Sequence, residues 1–69
     1  MVKLYSTHCP KCNVLEKKLK ENNIEFEIID DVDEVVAFGR EHEINSAPIL
    51  DFDGKIMDFI AANKYLTTL

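Results

Sequence analysis

The apolar residues of this chain change their period repeatedly, and that alternation limits the fold more than any other feature. Val2-Lys3-Leu4-Tyr5-Ser6 alternates apolar and polar positions and is rich in β-formers, which predicts a strand. From Pro10 to about Asn22 the period becomes helical. Cys12, Leu15 and Leu19 share one side and charged residues the other, Pro10 suits the first helical position, and Asn22-Asn23 supplies a stop that tolerates a left-handed cap. Ile24 to Ile29 returns to period two and predicts a second strand, closed by the acidic turn Asp30-Asp31. A second helix is predicted from about Asp33 to Glu43, with Val35, Val36 and Phe38 as its apolar contacts. Gly39 interrupts it at a cost of about 1 kcal/mol relative to Ala, and would permit close packing on the sheet. Pro48 to Phe52 reads as a third strand, Asp53-Gly54 as a two-residue hairpin turn, and Lys55-Ile56-Met57 as the returning strand. A last helix, Asp58 to about Thr67, puts Phe59, Ala62 and Leu66 on one stripe, with Ile60 beside them in the expected core and Asp58 as N-cap.

The predicted order is therefore β-α-β-α-β-β-α. With 69 residues, these elements must share one core in a single domain, residues 1–69. Two strands joined through a helix are expected to be parallel with a right-handed crossover, and the hairpin to join the same sheet. The economical arrangement is an α/β fold, a four-stranded mixed sheet flanked by three helices.

Composition narrows the function classes. A hydrophobic fraction of 46% with 30% charged residues, without repeats or low-complexity stretches, excludes a disordered segment. No apolar run approaches the roughly 18 residues of a membrane span. Met1 leads directly into the first strand pattern instead of a signal peptide, so a cytoplasmic location is expected. Thirteen acidic against eight basic residues give a net charge of -5, which argues against nucleic acid as a partner. Lys17, Lys18 and Lys20 alternate with Glu16 and Glu21 and read as a solvated helix face, Glu16 standing four residues before Lys20. The expectation is a monomer with neither nucleic-acid nor membrane partners, whose acidic surface favours proteins with basic docking patches.

Both cysteines fall in Cys9-Pro10-Lys11-Cys12, between the first predicted strand and the first predicted helix. A disulfide across so small a loop would restrict the unfolded chain little, so a purely structural role is a poor explanation. In a reducing compartment a close pair is more often catalytic or metal-binding. The helix N-terminus carries partial positive charge and free N–H groups, which favour a thiolate at Cys9, and the thiolate is the form that attacks disulfides. Cys12 lies nearly one helical turn later, close enough to attack a mixed disulfide formed at Cys9. Zinc sites use the same spacing, so the motif alone leaves metal binding open. Pro48 adds a second signal: a cis bond after Ala47 would bring a backbone edge close to the cysteines, although only about 5% of X-Pro bonds in folded proteins are cis.

With these residues the chain resembles the glutaredoxin and thioredoxin family over essentially its whole length. Tyr5 ends the first strand, Cys9-Pro10-Lys11-Cys12 stands in the motif position, Ser46-Ala47-Pro48 matches the family's Thr-Val-cis-Pro segment, and Asp53-Gly54-Lys55 matches the final hairpin. The resemblance implies a minimal thioredoxin fold, with Cys9 the exposed nucleophile, Cys12 the resolving thiol and Pro48 a cis-proline facing them. It also implies that the backbone of Ala47 hydrogen-bonds a bound substrate in strand-like fashion. The chain departs from the family's glutathione-binding pattern. Asp58 and Phe59 occupy the positions of a Gly-Gly pair, and Ser6 stands where many relatives carry a Lys or Arg three residues before the first cysteine. Lys11 could compensate in part, since a cation beside the thiolate attracts anions.

The expected activity is thiol-disulfide exchange: Cys9 attacks a disulfide in a protein or small molecule, and Cys12 resolves the mixed disulfide. The oxidised pair would be re-reduced by a reductase or by glutathione, and the missing glycine pair favours the reductase. No organic cofactor and no metal are expected. His8 could tune the nucleophile or shuttle a proton, or be an ordinary loop histidine. His42 reads as part of a solvated helix end, and Tyr5 either lines the site or is a half-buried strand-end aromatic. Two other classes stay open: a metal- or cluster-binding domain using His8, Cys9 and Cys12, and a redox-inert interaction module on the same fold.

Overall fold

A computed structural model describes all residues, 1–69. It contains β1 (Val2–Tyr5), α1 (Pro10–Glu21), β2 (Phe26–Ile29), α2 (Val32–Glu41), β3 (Ile49–Phe52), β4 (Lys55–Met57) and α3 (Phe59–Thr67), the order read from the periodicity. One four-stranded sheet runs β2-β1-β3-β4. β1 pairs with β2 in parallel, Leu4 opposite Ile28, and with β3 antiparallel, Leu4 opposite Leu50; β3 and β4 form the hairpin, Phe52 opposite Lys55. Its turn is Asp53-Gly54, with φ of 52° and 97°, the positive values that a two-residue turn matching the sheet twist requires.

Because side chains alternate across a strand, the sheet has two different faces. One carries Val2, Leu4, Leu50 and Met57, which pack with Leu15 and Leu19 of α1 and Ala62 and Leu66 of α3 in the main core. The other carries Lys3, Tyr5, Glu27 and Ile29 and is covered by α2 alone. There Tyr5 stacks on Phe38 with ring centroids 3.9 Å apart, so Tyr5 is a half-buried strand-end aromatic packed on α2. Burial and the surrounding carboxylates of Asp51, Glu34, Glu27 and Glu41 push its phenol pKa up.

Several boundaries differ from the sequence reading, each for a local reason. β1 stops at Tyr5, although the Ser6 N–H still donates to the Ile29 carbonyl at 2.9 Å. β2 begins at Phe26, not Ile24, because Ile24 closes α1: its N–H donates to the Leu19 carbonyl while Asn23, at φ 56°, donates to Lys20. The same two-bond closure ends α2 at Glu41, two residues early, with Glu43 at φ 58° and Ile44 donating to the Gly39 carbonyl at 2.7 Å. Gly39 packs where a Cβ would stand 2.4 Å from the Ile44 carbonyl oxygen, so the close approach is to this returning loop and to Ile49. α2 starts one residue earlier than read, at Val32, capped by Asp31, whose carboxylate accepts from Asp33 and Glu34. Val36 and Ile60, expected as apolar contacts of the core, are 46% and 77% exposed. Val36 lies about 100° around α2 from the buried Val35, and Ile60 about 200° around α3 from the buried Ala62, so each side chain points off the sheet.

Candidate active site

Three segments converge at the ends of β1 and β3. After Tyr5 the chain turns sharply: Ser6 is buried, its Oγ accepts the His8 N–H at 3.0 Å, and His8 adopts φ 60°, a left-handed conformation in which His is one of the enriched residue types. The turn delivers Cys9 to the N-cap of α1 with extended backbone. Pro10, lacking an N–H, follows at N1, and Cys9 Sγ takes the cap position usually held by a side-chain oxygen, accepting the Cys12 N–H at 3.2 Å. The helix N-terminus thus points a donor at the Cys9 sulfur.

The two sulfurs differ in access. Cys9 is half-buried, whereas Cys12 is fully buried on the core side of α1. Both are thiols. Burial pushes the Cys12 thiol up, but hydrogen bonds from the Cys9 thiol, the Ser6 hydroxyl and the Thr7 and Cys9 backbone together outweigh it and bring its pKa below that of an ordinary thiol. Thr7 Oγ1 stands 4.0 Å from Cys12 Sγ as a further weak partner.

Ala47-Pro48 forms the third segment, and its peptide bond is cis. The Ala47 carbonyl oxygen lies 4.0 Å from Cys9 Sγ, which brings the backbone edge of this loop against the more accessible sulfur. Asp58 caps α3 by accepting the Ala61 N–H at 2.8 Å, and Phe59 follows with its ring under the Lys11 ammonium, 5.4 Å from the centroid. So the Asp58 carboxylate is held by its own helix, and Lys11 rests on Phe59 at the rim of the site. His8 is placed differently from the rest: its Nε2 pairs with Asp30 Oδ2 at 3.2 Å and its ring makes no hydrogen bond to either cysteine. His42 stacks obliquely on Phe38, away from the cysteines.

Ser6 and Thr7 are site residues that sequence reasoning missed in this role. In the sequence Ser6 stands out only through the family resemblance, as a departure from a Lys or Arg, and its contact with Cys12 depends on a turn at His8 that no pattern signals.

A short β2-β1-β3-β4 sheet, a helix opening on two cysteines and a cis-proline loop against them define a thioredoxin-like fold. Among solved structures, the chain is similar to the thioredoxin-like protein BC3987, with a TM-score of 0.77 and 22% identity over 100% of both chains. A threonine-to-alanine mutant of that protein gives the same TM-score at 21% identity, over 97% of this chain and 96% of that one. No protein-family model and no curated protein sequence matches the chain. No helix is long and apolar enough to cross a membrane.

Proposed function

We propose that the chain is a thiol-disulfide oxidoreductase that reduces disulfides in proteins or small molecules. The observation that carries this reading is the asymmetry of the two sulfurs: Cys9 is accessible and receives a backbone N–H, while Cys12 is buried beside donors. The Cys9 thiolate attacks one sulfur of the substrate disulfide; a Cys9–substrate S–S bond forms, the substrate S–S bond breaks, and the leaving thiolate takes a proton from solvent. The free N–H and carbonyl of Ala47 hold the substrate backbone extended during this step. Cys9 donates nothing to Cys12 either as the attacking thiolate or in the mixed disulfide. The Ser6 hydroxyl and the Thr7 and Cys9 backbone N–H groups still favour the Cys12 thiolate. Cys12 then attacks Cys9 Sγ, forming the Cys9–Cys12 disulfide and releasing the substrate's second thiolate. Two electrons have passed from the pair to the substrate, and an external donor restores the dithiol.

Asp58 and Phe59 favour a reductase over glutathione as that donor, because a carboxylate and a ring stand where a glutathione site needs bare backbone. We place the activity in a reducing compartment, the cytoplasm. The test is a coupled disulfide-reduction assay supplied in turn with glutathione plus its reductase and with thioredoxin reductase. Turnover with thioredoxin reductase that is lost in Cys9→Ser is expected; inactivity with both donors and an unreactive Cys9 contradicts the proposal.

A further inference from the structure

Beside the Ala47-Pro48 loop lies a recess of about 310 Å³ that the exchange chemistry does not use. Val35, Val36, Ile44 and Ile49 form its apolar walls, and Arg40 stands among its lining residues. It adjoins the reacting sulfurs through two further lining residues. Ala47 presents its carbonyl 4.0 Å from Cys9 Sγ, and Thr7 its hydroxyl 4.0 Å from Cys12 Sγ. A volume of this size sits at the low end of ligand pockets, room for a side chain or two and not for an organic cofactor.

Charge separates this recess from the rest of α2. Glu34 and Glu41 line a different recess, with Tyr5 and Phe38. Arg40 forms no ion pair within the chain, and it is the only charged residue lining the apolar recess. Exposed charges act over about 8 Å at physiological salt, and the Arg40 guanidinium is the one charge in the lining itself, nearest to any group that enters the recess.

We propose that the recess is a specificity subsite for a peptide substrate, taking an aliphatic side chain two residues from the substrate cysteine, with a carboxylate next to it held by Arg40. This rests on the exchange reaction at Cys9. An extended peptide advances about 3.3 Å per residue and returns to the same face every second residue. With its cysteine on Cys9 and its backbone along Ala47, the next side chain on that face lies over the recess. Val36, left 46% exposed by the fold, is then covered by substrate. The chain would prefer protein disulfides flanked by an aliphatic and an acidic residue over small disulfides that offer neither.

Capped six-residue peptides, each as a mixed disulfide with a small thiol, test this. They carry Val or Ser two residues before or after the cysteine, and Glu or Gln beside that position. For at least one side of the cysteine, kcat/KM is expected to be about 10-fold higher for Val than for Ser, the size of effect that filling an apolar pocket gives. Val36→Glu should bring that ratio to about 1, and Arg40→Gln should abolish a preference for Glu over Gln of about 3-fold that weakens with salt. In parallel, the Val-Glu peptide with serine in place of cysteine is titrated into the reduced, isotope-labelled protein. Methyl shifts at Val35, Val36 and Ile44 are expected. Shifts without any peptide reduction would support the subsite and sink the exchange reaction. Equal rates for Val and Ser peptides, or a Val preference unchanged by Val36→Glu, would overturn the subsite and leave the exchange reaction standing.

Discussion

The two faces of the sheet are built on opposite terms. On one, Leu4 and Leu50 are fully buried beneath two helices whose leucines and alanine meet them. On the other, a single helix rests through Val35, Phe38 and Gly39, and the sheet beside it carries Lys3 and Glu27. The first face supplies the packing that holds a chain of 69 residues together. The second gives up burial, and in return it leaves a recess open next to the cysteines. The cysteine motif sits where the two meet: Cys12 belongs to the buried side and Cys9 to the accessible one.

The difference can be broken most severely at the core. Leu50→Ala removes a fully buried side chain and should cost about 3 kcal/mol of unfolding free energy in urea titration. On the α2 face a comparable effect should need a steric clash and not a cavity. Gly39→Ala drives a methyl group into the Ile44 carbonyl and should cost about 2 kcal/mol, whereas an effect below 0.5 kcal/mol would mean that α2 is free to shift. At the other extreme, Val32→Ser, at a position 60% exposed on α2, should change stability by less than about 0.5 kcal/mol.

Ser6 serves both the turn and the buried sulfur, and its loss should fall between these extremes. Because the Cys12 pKa is lowered on folding, its contribution to stability is absent below the lowered value. It grows as pH rises from there toward the free thiol's value of about 8.5, and is complete above it. The oxidised protein has no such thiol, so the reduced form should gain stability relative to the oxidised form across that window. Ser6→Ala should cost about 1 kcal/mol from the turn and flatten the reduced form's rise with pH, measured by thermal unfolding of both redox forms at several pH values. A reduced form whose pH dependence is the same with and without Ser6 would show that Ser6 does not stabilise the Cys12 thiolate.

The comparison also explains what was legible in the sequence. The buried face speaks through period: Leu15 and Leu19 on α1, and Ala62 and Leu66 on α3, repeat every four residues, so elements and core could be read directly. Cys9, Cys12 and Pro48 were visible because their residue types are chemically unusual in those places. The α2 face has no such rhythm. Val36 looks like a core residue until the helix is turned against the sheet, and Glu43 in a left-handed conformation carries none of the Gly or Asn signal that marks a helix end. The recess is built from α2, the loop after it and Thr7, segments far apart in the chain, and no local pattern records that they meet.

The division of roles, Cys9 attacking and Cys12 resolving, is open to trapping. Cys12→Ser protein is mixed with a disulfide substrate and the adduct is mapped by mass spectrometry after proteolysis. A stable mixed disulfide on Cys9 is expected in this variant, and in the wild type only a transient one that gives way to the Cys9–Cys12 disulfide. No adduct in Cys12→Ser, or a Cys9→Ser variant that forms an adduct at Cys12 equally fast, would contradict it.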